Sequence, residues 1–578
     1  MSTIPNNGLH FFGQTSSQNP VWQGPLNSIA FDEKGIREKL QNLEQPCYVV
    51  RKPEQIGITN EGELGDVAET ASVETLTAVP PLLPQQLGDC SFLDCYRVKY
   101  AYVGGAMANG IASEDLVIAL GKAKMLGSFG AGGLVPSRIE AAIQRIQAAL
   151  PNGPYAFNFL HSPKEPAIER STVELYLKYS VTIVEAAAFM NLTPNIVYYR
   201  AAGLSVNSAN QIEIKNRVIA KISRRELATR FMQPAPTKIL QQLVAQGLIT
   251  ELQANLAGKV PVADDITVEA DSGGHTDNRP LVCLLPSIIA LRDEIQQKQG
   301  YENLVRVGAA GGIATPQSAL AAFMMGAAYV VTGSINQSCL EAGTSAHTKN
   351  LLAQAGMADV IMAPAGDMFE NGVRVQVLKR GTLFGMRAQK LFELYKTYDA
   401  ISDIPLAEKE KLEKQIFRKP LNTVWQETVT YFSGRDPEQI SKAADDPKRK
   451  MALIFRWYLG QSARWAIAGE KGREMDYQIW CGPAMGAFND WAKGSYLAEP
   501  NNRRVVDVAK LMMTSAAFLY RLHNLKLQGL WLSIPYWNYS LKPDCNSVAS
   551  TLPQQNSVIK GSIFDRISPP PKYNGSGD

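Results

Sequence analysis

Residues 307–337 read VGAAGGIATPQSALAAFMMGAAYVVTGSINQ. Two apolar runs, 304–312 and 327–334, each reach glycine where a buried strand would end. Between them, the apolar spacing predicts a helix that begins near Thr315 and Pro316, because proline suits the first helical turn. A strand, a turn, a helix and a second strand in this order predict a parallel βαβ unit.

The same alternation extends through the preceding two hundred or so residues, which are rich in strand–turn–helix patterns. Segments with helical spacing separate eight strand candidates, namely 98–105, 124–133, 154–161, 181–189, 217–223, 265–271, 304–312 and 327–334. Such a series is compatible with a doubly wound sheet or with a (β/α)8 barrel. The strand number and a length of about 240 residues favour the α/β TIM barrel, in which chemistry is expected at the carboxyl ends of the strands.

The barrel is predicted to occupy residues 96–384, and the segments before and after it differ from it in composition and pattern. Residues 1–95 mix Pro, Gly, Gln and Asn with short apolar pieces, and we expect an irregular leader with a few strands. Residues 385–535 are predicted to form a C-terminal helical cap domain, and seven of the eight tryptophans lie at position 425 or later. Residues 536–578 are expected to be a partly disordered tail.

Composition excludes several classes of protein. With 58 basic and 54 acidic residues the net charge is only +4, which gives no support to nucleic-acid binding. The N-terminus has no signal-peptide pattern, and no apolar run approaches the roughly 18 residues that span a bilayer. The seven cysteines are scattered without a C-x-x-C pair, so neither a disulfide framework nor a metal site is predicted, and a cytoplasmic location is expected.

The last two strand ends form a candidate phosphate site. Gly311 and Gly312 end one strand, and Gly333 and Ser334 end the next. Glycine lets a phosphate approach the backbone, and the last two loops of a barrel often bind one. The alternative for each motif by itself is a plain tight turn.

Other strand ends offer contacts to a flat ligand. Met107, Ala108 and Asn109 follow the first strand, and Asn158 ends the third. Lys221 lies inside the apolar fifth strand, where a charge is costly without a partner. It is a candidate for the N1–O2 side of a flavin, with a structural ion pair as the alternative.

A histidine follows the sixth strand in EADSGGHTDNRP, residues 269–280. Gly273 and Gly274 permit a sharp turn that would hold His275 over the barrel mouth. A histidine there can donate a proton or a hydrogen bond near neutral pH. The alternative is a structural histidine whose hydrogen bonds are satisfied.

Several of these motifs, taken in order, resemble one enzyme family. The segments GGAMANGIAS, GSFGAGGL, FNFLHSP, IAKISRREL, EADSGGHTDNRP, VGAAGGIATP, YVVTGSINQ and DMFENGVRVQVLKRGTLF are similar to the PfaD branch of the FMN-dependent nitronate monooxygenase and FabK-type enoyl reductase superfamily. The later FRWYLGQSARWA and DYQIWCGPAMGAFNDW also resemble this branch, and the likeness covers about residues 80–535. The chain departs from the simple FabK pattern in its large helical region and in GGHTD, which stands for a more usual Gly-Gly-His-x-Gly.

The resemblance implies a set of site residues. It implies that His275 is the active-site histidine. It also implies FMN contacts at the strand ends, comprising Met107, Ala108, Asn109, Asn158, Lys221, Gly273, Gly274, Ala310, Gly311, Gly312, Gly333 and Ser334. The departure at GGHTD leaves two roles open for His275, as the acid that protonates Cα or as the group that orients the thioester carbonyl.

The activity implied by the resemblance is enoyl reduction in trans on acyl carrier protein domains of a polyketide or polyunsaturated fatty acid synthase. Hydride would pass from NADPH through FMN N5 to the β-carbon of a 2-enoyl thioester. The alternatives are nitronate oxidation on the same cofactor and a non-catalytic scaffold. The pathway product, the acyl chain length, the choice of NADPH over NADH and the oligomeric state, with a homodimer as one option, stay open.

The helical region supplies candidates for contact with these partners. The basic run at 448–450, Arg456, Arg503 and Arg504 are candidate docking charges for an acidic carrier protein, against the alternative of simple solvation. Cys481 is a candidate pocket residue, against the alternative of an inert buried thiol.

Overall fold

Eight short parallel strands close into a barrel, as the apolar runs predict. The computed structural model describes residues 7–12, 21–53, 55–65, 73–162, 166–433, 436–539 and 541. In chain order the barrel strands are β1 (Tyr102–Gly104), β2 (Leu126–Phe129), β3 (Ala156–Leu160), β4 (Ile183–Ala187), β5 (Arg217–Ile222), β6 (Asp265–Glu269), β7 (Arg306–Ala310) and β8 (Val330–Thr332). Each lies within its predicted range, so the TIM-barrel prediction is confirmed.

Strand pairing follows chain order and closes between the last strand and the first. Val331 of β8 pairs with Val103 of β1 in parallel register, and Val103 pairs in turn with Leu126 of β2. Parallel strands covered by helices are buried on both faces, which is why they read as nearly continuous apolar runs. All eight carboxyl ends therefore open at one mouth of the barrel.

Seven of the barrel helices follow their strands directly, and the eighth comes from much later in the chain. The helices are α1 (Glu114–Lys122), α2 (Pro136–Ala149), α3 (Pro166–Lys178), α4 (Pro194–Ala202), α5 (Arg225–Met232), α6 (Leu281–Gln299), α7 (Pro316–Met324) and α8 (Val505–Leu527). Helix α8 packs against α7 and α1, so the chain leaves the barrel after β8 and returns to complete it. The range predicted for the cap, 385–535, thus contains the last barrel helix.

Two excursions interrupt the alternation between β4 and β6. A hairpin, Leu204–Val206 with Ile212–Ile214, follows α4. Helices Thr237–Ala245 and Glu251–Ala257 follow α5. Neither excursion contributes a strand to the barrel, so the order of its strands is unchanged.

A short helix, Cys90–Tyr96, closes the amino-terminal end of the barrel. Its Phe92 stacks on Tyr329 with 4.3 Å between ring centroids. Arg306 pairs with the buried Asp265 at 2.6 Å, and Tyr96 donates a hydrogen bond to the same carboxylate. These side chains fill the end of the barrel opposite the predicted site.

The N-terminal residues are more regular than the irregular leader predicted. Strand Cys47–Lys52 lies between Gln55–Thr59 and Glu74–Val79 in an antiparallel sheet, beside helix Glu33–Gln41. Shorter pairs join Val21–Gln23 to Glu63–Gly65 and Leu9–Phe11 to Leu530–Leu532. Several of the pairing partners are distant in sequence, so strand propensity alone does not reveal these pairs.

A second hydrophobic core, distinct from that of the barrel, lies in the helical region. It contains Phe369, Val377, Phe384, Phe417 and Phe455, all fully buried. The elements of this region are strands Val360–Pro364 and Arg374–Leu378 and helices Phe384–Thr397, Leu406–Lys411, Leu412–Phe417 (a π-helix), Leu421–Ser433, Pro437–Ala444, Pro447–Ala468 and Ala484–Ala492. The two strands share this core with helices Phe384–Thr397, Leu412–Phe417, Leu421–Ser433 and Pro447–Ala468, whereas the buried residues of Ala484–Ala492 belong to the core of the barrel. The second packing unit therefore begins before residue 385.

Among the helices of the described ranges, none has the length and apolar character needed to cross a membrane. Most of the predicted tail, residues 542–578, lies outside the described residues. Its predicted disorder therefore stays a prediction.

Candidate active site

The glycine turns after β7 and β8 leave open space at the barrel mouth. A Cβ built on Gly312 or Gly333 would meet no atom within 4 Å, whereas one on Gly311 would lie 2.6 Å from the Ala270 backbone carbon. Gly311 and Gly312 have φ of +83° and +75°, in the left-handed region that favours glycine. Gly311 therefore serves close packing on the end of β6, and Gly312 and Gly333 border a cradle.

The start of α7 is already capped by its own side chains. The amides of Ala314 and Thr315 both donate to Ser318 Oγ at 3.0 Å, and Thr315 Oγ1 accepts from the Ser318 amide. These two amides are therefore occupied, and an anion at this end would meet the glycine turn rather than the helix start. Ala310, the last residue of β7, is buried beneath the turn.

The turn after β8 is covered by a segment from the helical region. Gly333 precedes the short helix Ser334–Gln337, and Ser334 Oγ accepts a hydrogen bond of 3.1 Å from the Gly482 amide. Gly482 and Gly273 pack backbone against backbone, since a Cβ on either would come within 2.8 Å of the other segment. Residues 481–482 therefore lie across the mouth between the ends of β6 and β8.

The loop after β1 is fixed on the loop after β2. Asn109 has a left-handed φ of +58°, and its amide donates to Gly132 O at 2.8 Å. A Cβ on Gly130 would lie 1.7 Å from Met107 O, so only glycine permits this approach. Met107, Ala108 and Asn109 are half-buried, at the rim where the sequence places flat-ligand contacts.

Lys221 lies between two carboxylates on neighbouring strands. Its Nζ is 3.0 Å from Glu269 Oε1 on β6 and 3.6 Å from Glu185 Oε1 on β4. Burial lowers the pKa of Lys221, but the charges of Glu269 and Glu185 outweigh it and hold the pKa above its usual value. The ion pair that is one of the two predictions for this residue is therefore present, and it keeps the lysine charged.

Glu185 is the buried group that the sequence reasoning misses. Its Oε2 accepts from the Ala106 amide at 3.0 Å, and Asn158 Nδ2 donates to its backbone oxygen at 3.1 Å. Within the described residues Glu185 Oε1 accepts no hydrogen bond, although it is buried. A carboxylate inside the apolar run VTIVEAAAF is the same signal that singles out Lys221.

His275 stands at the mouth, paired with an acid from outside the barrel. Its Nε2 lies 3.0 Å from Asp367 Oδ2, and 38% of the histidine and 59% of the aspartate side chain are exposed. Residues Gly274–His275 form a two-residue strand on Arg374–Leu378, with His275 opposite Val375. Desolvation lowers the pKa of His275, but the hydrogen bond and charge of Asp367 raise it further, so the net shift is upward.

The remaining polar residues of EADSGGHTDNRP shape the loop. Asp271 Oδ1 accepts from Asn278 Nδ2 at 2.8 Å and from Gln376 Nε2 at 2.7 Å. Asp277 is held by the Arg224 guanidinium, whose hydrogen bonds help to lower the pKa of this carboxyl to about 2. The glycines therefore set the turn, and the flanking acids fix its position against β5 and the outer strands.

Two further predictions have different outcomes. Cys481 is fully buried, and burial raises its pKa to about 12, so the thiol stays protonated. Arg503, predicted as a docking charge, is also buried and donates to Leu497 O, Ser338 Oγ and Asn489 Oδ1, so that prediction is wrong. Arg504 is exposed, and Arg456 is half-buried in a pair with Glu370.

The predicted site residues thus share one end of the barrel, and some of them are joined through other residues. Asn158 and Lys221 meet through Glu185, and the Met107–Asn109 loop meets the β2 turn. His275 contacts the helical region instead. A site with open glycine turns, a half-buried charged lysine and a half-exposed histidine can hold a phosphorylated planar cofactor and move a proton beside it.

Three stretches of the chain match known protein families. Residues 92–393 match nitronate monooxygenase, and residues 22–81 match the fatty acid synthase subunit PfaD N-terminal domain. Residues 398–477 match the inserted helical domain of [acyl-carrier-protein] S-malonyltransferase. The barrel, the N-terminal sheet and part of the helical region thus correspond to separate family descriptions.

Curated relatives are longer than this chain. A polyunsaturated fatty acid synthase subunit of Thraustochytrium sp. is 49% identical over 518 residues, which is 88% of this chain and 34% of the relative. Polyketide biosynthesis protein PksE of Bacillus subtilis is 46% identical over 436 residues, 75% of this chain and 56% of the relative. The chain therefore spans about a third of the first relative and little more than half of the second.

This chain is similar to a solved structure over the whole length of that structure. The enoyl reductase domain of MlnA, from the macrolactin biosynthesis cluster of Bacillus amyloliquefaciens, aligns with a TM-score of 0.73 and 39% identity. The alignment covers 76% of this chain and all of that domain.

Proposed function

The chain belongs to the nitronate monooxygenase family, in its PfaD branch, and on that premise we propose that it is an FMN-dependent enoyl reductase acting in trans on carrier-protein-bound 2-enoyl thioesters. The observation that carries the proposal is the composition of the barrel mouth. Open glycine turns, the half-buried Lys221 ion pair and the half-exposed His275 stand at the ends of strands of one barrel.

The residues at the mouth fit FMN. The space above Gly312 and Gly333 suits a phosphate that approaches the backbone, with Gly311 and Ser334 beside it. The buried Glu185 Oε1, which accepts no hydrogen bond within the described residues, suits a donor on a polar ring edge. Such a ring would lie near Met107, Ala108, Asn109 and Asn158, with Ala310, Gly273 and Gly274 bordering the space.

Lys221 would supply positive charge beside the ring. When bound, FMN supplies the hydride transfer between NADPH and the β-carbon of the enoyl thioester. The lysine stays protonated because Glu269 and Glu185 surround it, and it would favour electron density that collects on the ring edge. The two carboxylates also fix the position of Nζ, so its charge is preorganised rather than mobile.

His275 would provide the proton that completes the reduction. Reduction of the double bond requires a hydride at the β-carbon and a proton at the α-carbon, and a histidine with a raised pKa holds that proton near neutral pH. The same protonated ring can donate a hydrogen bond to the thioester carbonyl. Proton transfer needs the charged ring, and both roles need an accessible one, which the exposure of His275 supports.

The relatives support the class of substrate and partner. Those named above are a polyunsaturated fatty acid synthase subunit, a polyketide biosynthesis protein and an enoyl reductase domain. Acyl chains in such synthases are presented on carrier proteins, so we propose a carrier-protein thioester as substrate. The buried segment at Cys481 and Gly482, which covers the mouth, would line the acyl chain.

An assay with competing substrates tests the proposal. The purified protein is reconstituted with FMN and given NADPH with a trans-2-enoyl thioester, and separately a nitronate with oxygen. We expect NADPH-dependent formation of the saturated thioester. Turnover of the nitronate alone would favour nitronate oxidation, and a protein that takes up no FMN would favour a non-catalytic scaffold.

A further inference from the structure

The partner of His275 comes from a different part of the fold. His275 follows β6 of the barrel, whereas Asp367 lies between the strands Val360–Pro364 and Arg374–Leu378, 92 positions along the chain. Those strands share the second core with the cap helices. The 3.0 Å contact between His275 Nε2 and Asp367 Oδ2 therefore joins the barrel to the helical region at the site itself.

The loop that carries Asp367 is fixed from several sides. A Cβ on Gly366 would lie 3.1 Å from Leu459 Cβ, so the loop rests closely on helix Pro447–Ala468. Arg456 of the same helix donates to Gly366 O at 2.8 Å and pairs with Glu370 at 3.1 Å. Phe369 is buried in the second core. The backbone on both sides of Asp367 is thus held in place.

The charges around the histidine ring favour its protonated form. Asp367 contacts the ring directly, and Glu269 at the end of β6, itself paired with Lys221 at 3.0 Å, adds a second negative charge nearby. Burial raises the pKa of Asp367, but the hydrogen bond to His275 and the positive charges of His275 and Arg456 lower it further. The carboxylate is therefore ionised opposite the ring.

We propose that Asp367 is a positioning residue, which orients His275 through Nε2 and keeps its ring protonated, so that the cap completes the proton donor of the barrel. The inference rests on the proposed function for the reaction in which the proton is used. In that step the carbon–carbon double bond is reduced. The β-carbon receives a hydride that originates in NADPH, which becomes NADP+, the α-carbon takes the proton from Nδ1 of His275, and the neutral ring regains a proton from the solvent.

Histidine titration followed by NMR tests the pair without any assay of activity. The FMN-loaded protein has five histidines, and the resonance of His275 is the one lost in His275→Gln. In Asp367→Asn we expect His275 to titrate at lower pH than in the wild type, because its negative partner is gone. Asp399→Asn is the matched control, since that side chain is 97% exposed and pairs with Lys448. An unchanged titration of His275 in Asp367→Asn would overturn the inference.

The pH profile of kcat/KM tests the consequence for the reaction. If His275 is the acid, activity falls as pH rises through its pKa, and this falling limb should move to lower pH in Asp367→Asn. We expect a loss of about tenfold on the alkaline side, the size of one charge-assisted hydrogen bond. Asp367→Glu keeps the carboxylate and should restore both the titration and much of the activity. The positioning role is contradicted if the falling limb of the pH profile does not move in Asp367→Asn. It is also contradicted if Asp367→Asn and Asp367→Glu lose equal activity.

The two experiments separate the two proposals. If the wild-type protein turns over no enoyl thioester, the proposed function is wrong, and so is the proton transfer assigned to His275. The histidine titration then still decides whether Asp367 sets the charge of His275.

Discussion

Lys221 is a half-buried cation whose position depends on two acids. Its single positive charge faces two carboxylates on neighbouring strands, Glu269 at 3.0 Å and Glu185 at 3.6 Å. Breaking a buried ion pair by removing one partner is costly because the other charge remains buried. The lysine therefore supports the barrel as well as the proposed cofactor.

Substitution of Lys221 measures what the ion pairs contribute to the stability of the apoprotein. Lys221→Met should lower the free energy of unfolding by about 3 kcal/mol, since two carboxylates lose their cation. The double variant Lys221→Met/Glu269→Gln should recover part of that loss. Urea unfolding of the apoproteins measures both. Equal stability of Lys221→Met and the wild type would show that the carboxylates are not charged in the folded protein.

His275 should affect the reaction far more than cofactor binding. In His275→Ala we expect kcat for enoyl reduction to fall about 100-fold or more, as for other general acids, while the yellow colour of the bound flavin is retained. His10→Ala is the control, because that ring packs on Phe12 and Trp531 at the far N-terminal strand. Full activity of His275→Ala would exclude the histidine from the mechanism.

A substitution in the turn after β8 tests FMN binding most directly. A Cβ on Gly333 would enter open space, and its φ of −130° lies outside the left-handed region, so alanine should cost the apoprotein at most about 1 kcal/mol. The same Cβ would stand in the proposed phosphate position. We expect Gly333→Ala to weaken FMN binding at least about tenfold, as measured by fluorescence titration.

A matched glycine gives the control for this element. Gly460 lies in helix Pro447–Ala468, and a Cβ there also meets no atom within 4 Å. Gly460→Ala should leave FMN affinity unchanged and leave stability equal or higher, because alanine favours the helix. Equal FMN affinity in both glycine variants would show that the phosphate does not bind at the turn after β8.

The barrel elements could be predicted because each strand is buried on both faces and ends at a glycine or polar turn. The eight apolar runs therefore mark the strands, and strand order in a barrel fixes which ends meet. The return of the chain through α8 could not be read from its pattern, since an amphipathic helix does not specify what it packs against.

Local sequence context also decides which site residues could be predicted. Lys221 and His275 could be found because each is unusual for its local surroundings, and Glu185 carries the same signal within an apolar strand. Asp367 could not, because its loop is polar and its partner lies 92 positions away. The prediction for Arg503 is wrong because nothing in its neighbouring sequence reveals that it is buried.

One arginine joins the N-terminal sheet region to the barrel. The guanidinium of Arg521, on α8, is buried and donates to four backbone oxygens that follow helix Glu33–Gln41 or end it, at Leu40, Asn42, Leu43 and Gln45. The N-terminal region therefore depends on the helix that closes the barrel.

Removal of this tie should destabilise the whole chain. We expect Arg521→Met to lower the free energy of unfolding by about 2–3 kcal/mol, because buried carbonyls lose their donors. Arg37→Met is the control, since its pair with Glu33 is a surface i,i+4 contact worth about 0.3–0.5 kcal/mol. Denaturant unfolding followed by tryptophan fluorescence reports both, and similar losses in the two variants would deny Arg521 this role.

The reductive and oxidative halves of the proposed reaction can be separated in one anaerobic experiment. The FMN-loaded protein is first reduced with one equivalent of NADPH and is then mixed with a trans-2-enoyl carrier-protein thioester, while flavin absorbance is followed and the product is analysed by mass. We predict reduction by NADPH, then reoxidation by the enoyl thioester with one saturated thioester formed per flavin. A flavin that stays reduced with the enoyl thioester, and is reoxidised only by oxygen or a nitronate, would contradict the account.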